Sequence, residues 1–237
     1  RFVHNVLKMK FLAEAPDEQI IDGLNDLADA YEIWINGINA EIGNLPEGYR
    51  DAAFVNAHKC ETALSMIRES VKSLENKNVM KAFKLANLAM FTQRKQGLTV
   101  AGKYTSDDDI KWYTFQLAFF VQEIISFSDP ESEHRKKVDL LWFPTGGGKT
   151  EAYLGIAAFA IFFRRLTSPV GDGVTVLMRY TLRLLSFQQF ERASALICAC
   201  EIIRKTYNIP GGEIGRGLWA GQALTPNSIE KADKILR

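Results

Sequence analysis

The sequence predicts an α/β protein in which an antiparallel helical bundle precedes a domain built on a parallel sheet. In residues 17–93 apolar side chains recur every three or four positions, the spacing of one face of a helix. In residues 138–220 short β-branched runs alternate with helical patterns, which is typical of strands joined by crossover helices. The predicted domains are residues 1–96 for the bundle and 110–237 for the sheet domain, with a polar, glycine-bearing linker at 97–109.

Three amphipathic helices are predicted for the bundle, at residues 17–42, 54–74 and 79–93. The apolar stripe of each helix needs a partner, and the short connections between them favour antiparallel neighbours. Their charged positions are expected to form solvated faces, so no binding site is inferred from them.

Composition excludes little. The chain has 237 residues, 47% of them hydrophobic, and a formal net charge of +1, so any contact with nucleic acid must be local. Its longest apolar run, residues 152–163, falls short of the ~20 residues of a membrane span. The three cysteines lack metal-type spacing and are expected to be reduced and buried. The chain begins at Arg1 without a signal-peptide pattern, so we expect a piece of a longer cytoplasmic protein with no membrane contact.

The sheet domain is expected to contain strands near residues 138–142, 174–178 and 214–220, with helices at 151–166 and 184–206 between them. Apolar β-branched runs are typical of strands buried on both faces of a parallel sheet. Ligands of such sheets bind at the carboxyl ends of the strands. The turn after the first predicted strand is therefore the expected site of chemistry.

That turn has the pattern of a phosphate-binding loop, or P-loop. Glycines allow several backbone N–H groups to approach one phosphate, and the helix that follows adds the positive end of its dipole. The lysine would reach the β- and γ-phosphates of ATP, and the threonine hydroxyl would hold Mg²⁺. The predicted nucleotide-binding residues are Thr145, Gly146, Gly147, Gly148, Lys149 and Thr150, of which Lys149 and Thr150 are also the predicted catalytic residues and Thr150 the metal ligand.

Phe143 departs from the general P-loop pattern, which has glycine at that position. A nucleotide kinase or a signalling switch usually keeps this glycine, so Phe143 argues against those classes. A plain turn that binds nothing is the other alternative, but such a turn has no use for a lysine and a threonine at the helix start.

Two further elements extend the predicted site. Gln116 stands among aromatic residues ahead of the P-loop and resembles the aromatic-Gln element of superfamily 2 enzymes, which implies that its amide pairs with the edge of adenine; alternatively it is an exposed glutamine on a packed helix. Downstream, polar groups at a strand end that feeds a helix suit phosphate, although they could equally pair with nearby carboxylates. The predicted nucleic-acid-binding residues there are Arg179, Thr181, Arg183 and Gln188.

These sequence motifs together resemble those of a known family. The P-loop with a non-glycine first position, the aromatic-Gln element and the Arg-x-Leu-x-x-Gln spacing at residues 183–188 are similar to superfamily 2 helicases and translocases. Over residues 79–227 the chain resembles the helicase subunit of DISARM anti-phage defence systems, with the Druantia helicase as a near neighbour. The resemblance implies an ATP-driven motor with RecA-like lobes that contacts the DNA backbone and works with other defence subunits.

The resemblance also implies that the 237 residues hold only half of a catalytic site. Superfamily 2 enzymes need a second acidic motif, Asp-Glu after a strand, and an arginine from a second RecA-like lobe, and the chain ends at Arg237 before either appears. We therefore expect residues 110–237 to be the first part of a RecA-like lobe and the fragment alone to be inactive. Two alternatives stay open: a P-loop NTPase of another class, and a helical interaction module with a bystander nucleotide domain.

Overall fold

The computed structural model describes residues 3–142, 146–168, 173–180, 183–218 and 228–236. Short 3-10 turns lie at Ile42–Asn44, Asp107–Asp109 and Glu133–Lys136. The α-helices of the described residues are α1 (Val3–Val6), α2 (Met9–Glu14), α3 (Asp17–Glu41), α4 (Glu47–Ser73), α5 (Lys77–Val100), α6 (Thr114–Ser128), α7 (Lys149–Thr167), α8 (Arg183–Thr206) and α9 (Ile229–Leu236).

Helices α3 and α4 form an antiparallel hairpin. Arg68 of α4 donates to Asp29 at 2.9 Å and to Glu32 at 2.7 Å. Further along, Asn39 donates to Glu61 at 3.0 Å. Because the later residues of α3 meet the earlier residues of α4, the two helices run in opposite directions.

Helix α5 lies at the centre of the fold and packs against α2, α7 and α8. Its start is fixed by Asn76, whose side chain accepts a hydrogen bond from the backbone N–H of Asn78 at 2.9 Å. Its buried Asn87 accepts a hydrogen bond from the indole of Trp112 at 2.9 Å. This bond pairs the indole N–H of Trp112 with the side-chain oxygen of Asn87 inside the apolar core.

The hydrophobic core is continuous from α1 to the segment after α8. Helix α7 packs against α5 and α6, and its small residues allow that close approach. At Gly155 an added Cβ would lie 2.8 Å from the ring of Trp112, so glycine is the residue that fits there. The predicted linker at 97–109 begins inside the last turn of α5, and the division into two domains stays a prediction.

The predicted RecA-like parallel sheet is wrong. No strand occurs among the residues that the structure describes, whose only ladder-type pairing is an antiparallel bridge between Lys8 and Lys111. The segments 138–142 and 174–178 are irregular, with Val138 97% exposed and Val174 81% exposed. The described part of the third predicted strand is irregular too, and its last two residues lie outside the described ranges.

The physical reason is that a strand needs neighbours for its backbone N–H and C=O groups, whereas a helix satisfies its own. The small and aromatic residues of α7 suited packing on a sheet, but they suit packing on α5 and α6 equally well. Helices α5 and α6 therefore cover the face of α7 that was expected to pack on a sheet. Within the described ranges, none of the helices has both the length and the apolar character to cross a bilayer.

Candidate functional site: a glycine turn at the start of α7

The glycine turn enters helix α7 through two left-handed residues. Gly146 has φ 84° and Gly148 has φ 86°, values that side chains with a Cβ rarely adopt. Gly148 is the N-cap, and the 19-residue helix α7 begins at Lys149. The free N–H groups and positive dipole end of this helix face the turn. Thr145, the first predicted nucleotide-binding residue, lies outside the described residues.

Lys149 and Thr150 occupy the first turn of α7, and both are half-buried. The helix start predicted for them is therefore present. The roles of these two residues in holding ATP and Mg²⁺ stay predictions.

Gln116 is buried and held by backbone groups at both ends of its amide. Its Oε1 accepts from the N–H of Tyr113 at 2.8 Å, and its Nε2 donates to the carbonyl of Gly148 at 2.7 Å. A Cβ on Gly148 would lie 2.7 Å from Nε2, so glycine is what allows this contact. Gln116 thus ties the start of α6 to the glycine turn. Its predicted pairing with adenine would require the amide to give up these partners.

Glu151 adds a carboxylate to the same turn. Its Oε1 accepts a hydrogen bond from Arg192 of α8, and this ion pair joins α7 to α8. Its Oε2 is buried with no hydrogen-bond partner among the described residues, and it lies 3.6 Å from the position of a Cβ on Gly148. An unsatisfied carboxylate oxygen beside the turn is a group able to accept from a ligand or its bound water.

Arg192 was missed by the sequence reasoning because it belongs to no motif of the string that precedes it. It lies near Tyr180, whose pKa is raised by burial and lowered to a smaller extent by the Arg192 charge. Only its spacing, four residues after Gln188, could have suggested that it shares a face of α8 with a predicted site residue.

The predicted nucleic-acid residues are placed only in part. Arg179 is exposed in the irregular segment before α8, and Gln188 is exposed on α8 itself. Arg183 is the first residue of α8, but its side chain lies outside the described part, as does all of Thr181. The segment 175–180 lines a groove of about 450 Å³ with α7 and Phe127.

The cysteines and other metal-ligating residues of the described ranges form no metal site. Nowhere in the described ranges do three or more His, Cys, Asp or Glu side chains gather as they would around a metal ion. Cys200 is buried, and burial raises the pKa of its thiol to about 12. Cys60 is half-buried, and Cys198, expected to be buried, is exposed.

The described chain is thus a helical protein in which a glycine turn, hydrogen-bonded to Gln116 and bordered by Glu151, opens onto the start of α7. No protein-family model matches the sequence. Over an alignment of 241 residues it is 39% identical to "DISARM protein DrmA" of Bacillus paralicheniformis, which covers 94% of this chain. The chain spans about a fifth of that relative's length, since the match covers 21% of it.

Proposed function

We propose that the chain is part of a DISARM-type anti-phage defence protein that acts as an ATP-dependent DNA helicase or translocase in the cytoplasm. The similarity to a DISARM protein across 94% of the chain supports the defence role. The superfamily 2-like strings support the motor activity. Other subunits of the defence system are the proposed protein partners.

The proposed nucleotide site is the glycine turn at the start of α7. The main support for this site is that two left-handed glycines lead directly into the helix. Gly146, Gly147 and Gly148 leave room for phosphate oxygens, Lys149 neutralises the β- and γ-phosphates, and Thr150 ligates Mg²⁺. The turn leaves room for such a group at Gly146, where nothing lies within 4 Å of the position of an added Cβ; at Gly148 the amide of Gln116 fills that space and would have to move aside. Bound Mg-ATP would supply phosphoryl-transfer free energy for movement along DNA.

The proposed DNA contacts are Arg179, Thr181, Arg183 and Gln188, which would bind the phosphate backbone without reading base sequence. Arg179 and Gln188 are both exposed, as such contacts require. Because the overall charge of the chain is only +1, binding would depend on this local group rather than on a general attraction.

Replacing Lys149 by Ala in the intact protein should lower DNA-stimulated ATP hydrolysis by about 100-fold or more, because the phosphates lose their cation. Phosphate release in the presence of single-stranded DNA measures this. Lys136→Ala is the matched control, since Lys136 pairs with Glu133 on the surface, away from the turn. Full activity of Lys149→Ala would refute the proposed nucleotide site.

A further inference from the structure

The ion pair between Arg192 and Glu151 connects two regions that the proposed function uses separately. Glu151 lies in the first turn of α7, beside the glycine turn, and Arg192 lies in the middle of α8. The side chains are partly shielded from water, with 24% of Glu151 and 38% of Arg192 exposed. Neither residue is among the proposed ligands of nucleotide or DNA.

On α8 the arginine is close to the proposed DNA contacts. Gln188 precedes Arg192 by four residues, so the two side chains share one face of the helix, one turn apart. Arg183 begins the same helix. A change in the contact that holds α8 at Arg192 would therefore change the position of the residues that are proposed to contact DNA.

At the other end, Glu151 is close to where a phosphate would bind. Its Oε1 is held by Arg192, while its Oε2 lies 3.6 Å from the Cβ position of Gly148. A phosphate group in the turn would repel this carboxylate and attract the guanidinium, because the carboxylate borders the turn and the guanidinium is bonded to the carboxylate. Occupancy of the turn must then alter the free energy of the ion pair.

We propose that Arg192 is a positioning residue that couples nucleotide binding at the glycine turn to DNA binding along α8. This inference rests on the proposed function. Arg192 exchanges attraction to Glu151 for attraction to the bound phosphate, and the contact that fixes α8 to α7 changes with it. Coupling of this kind is reciprocal: DNA alters nucleotide affinity by the same factor as nucleotide alters DNA affinity.

A purely structural ion pair provides the comparison. Further along α8, Arg204 pairs with Glu201 at 2.7 Å, and Glu201 also accepts from the N–H of Ile214 at 3.0 Å. This second pair holds the segment that follows the helix and has no contact with the glycine turn among the described residues. Its removal should affect stability but leave coupling between ligands intact.

The experiment measures the affinity of the intact protein for a fluorescein-labelled oligo(dT) by anisotropy, with and without saturating Mg-ATPγS. Nucleotide affinity is measured separately by calorimetry with and without the oligonucleotide. The parent protein should show a change in DNA affinity of about 5-fold or more on nucleotide binding. Arg192→Met should reduce that change to less than about 2-fold, and it should also weaken nucleotide binding in the absence of DNA, because Glu151 then faces the phosphate without its cation. Arg204→Met is the matched control and should keep the coupling.

The outcomes separate the two proposals. Full coupling in Arg192→Met, or no coupling in the parent protein, overturns the role of Arg192 and leaves the nucleotide site standing. Absence of Mg-ATPγS binding to the parent protein overturns the proposed function and this inference with it. If Arg192→Met fails to fold by circular dichroism, the exchanged pair Glu151→Arg with Arg192→Glu is used: loss of coupling in a folded protein supports the role, and retained coupling counts against it.

Discussion

Helix α7 and the segment 138–142 before it are both rich in apolar residues, yet their apolar side chains differ greatly in exposure to solvent. Leu154 and Phe162 of α7 are almost completely buried, whereas Val138 is 97% exposed and Trp142 is 84% exposed. The helix makes its own backbone hydrogen bonds, so its apolar stripe can pack on any complementary surface. The segment lacks strand neighbours within the described residues, and its apolar side chains remain in water.

The exposed segment acts on a buried carboxyl group of α6, the helix against which α7 packs. Glu123 of α6 is only 9% exposed, and the charge of Asp139 in the segment acts on it. Burial, and then this like charge, raise the pKa of Glu123 to about 7. The charge of the exposed segment thus opposes ionisation of a carboxyl group inside the helical region.

The largest expected effect on stability comes from truncating a large side chain of the core. Trp112→Ala should lower the free energy of unfolding by about 3–5 kcal/mol, because it leaves a cavity beside Phe120 and Gly155 and an unpaired Asn87. Urea unfolding followed by circular dichroism measures the loss. A loss below about 1 kcal/mol would mean that this region is not the core of the fold.

A smaller effect, dependent on pH, is expected at Glu123 of α6, on which the charge of Asp139 in the exposed segment acts. The folded pKa of Glu123 is raised above its usual 4.5, so ionisation costs stability as the pH rises through about 7. Glu123→Gln should therefore be more stable than the parent by on the order of 1 kcal/mol at pH 8, with the benefit disappearing below about pH 4.5. Unfolding curves at both pH values check this, and a benefit equal at the two values would contradict the assignment.

The smallest effect is expected in the exposed segment. Trp142→Ala should change the free energy of unfolding by no more than about 0.5 kcal/mol, because the side chain is 84% exposed. It is the matched counterpart of Trp112→Ala, measured by the same urea titration. A loss above about 1.5 kcal/mol would show that the segment is packed and would remove the contrast between the regions.

The helices could be predicted from the sequence because their signal is local. The stripes at 17–42, 54–74 and 79–93 correspond to α3, α4 and α5, although α4 begins seven residues earlier and α5 runs to Val100. Three consecutive glycines before Lys149 likewise located the start of α7 correctly. Such features depend on neighbours within one or two turns, which the sequence displays directly.

The candidate site was predictable in its centre and not in its surroundings. The glycine turn was found from its pattern, but the bond of Gln116 to Gly148 and the Arg192–Glu151 pair join distant positions. Arg192 and Glu151 are 41 residues apart. Nothing in local spacing indicates which carboxylate an arginine of α8 will meet.

By itself, the sequence determined the helical stripes, the left-handed glycines and the polar residues that begin α7, since each follows from local geometry and the absence of a Cβ. Only the tertiary structure decided what α7 packs against, and therefore whether the apolar segments at 138–142 and 174–178 became strands. An apolar run in a sequence indicates that the segment favours burial, but it does not indicate which other element will cover it. In the described protein α5 and α6 supply the partner for α7, and the two segments lie beside it unpaired as strands.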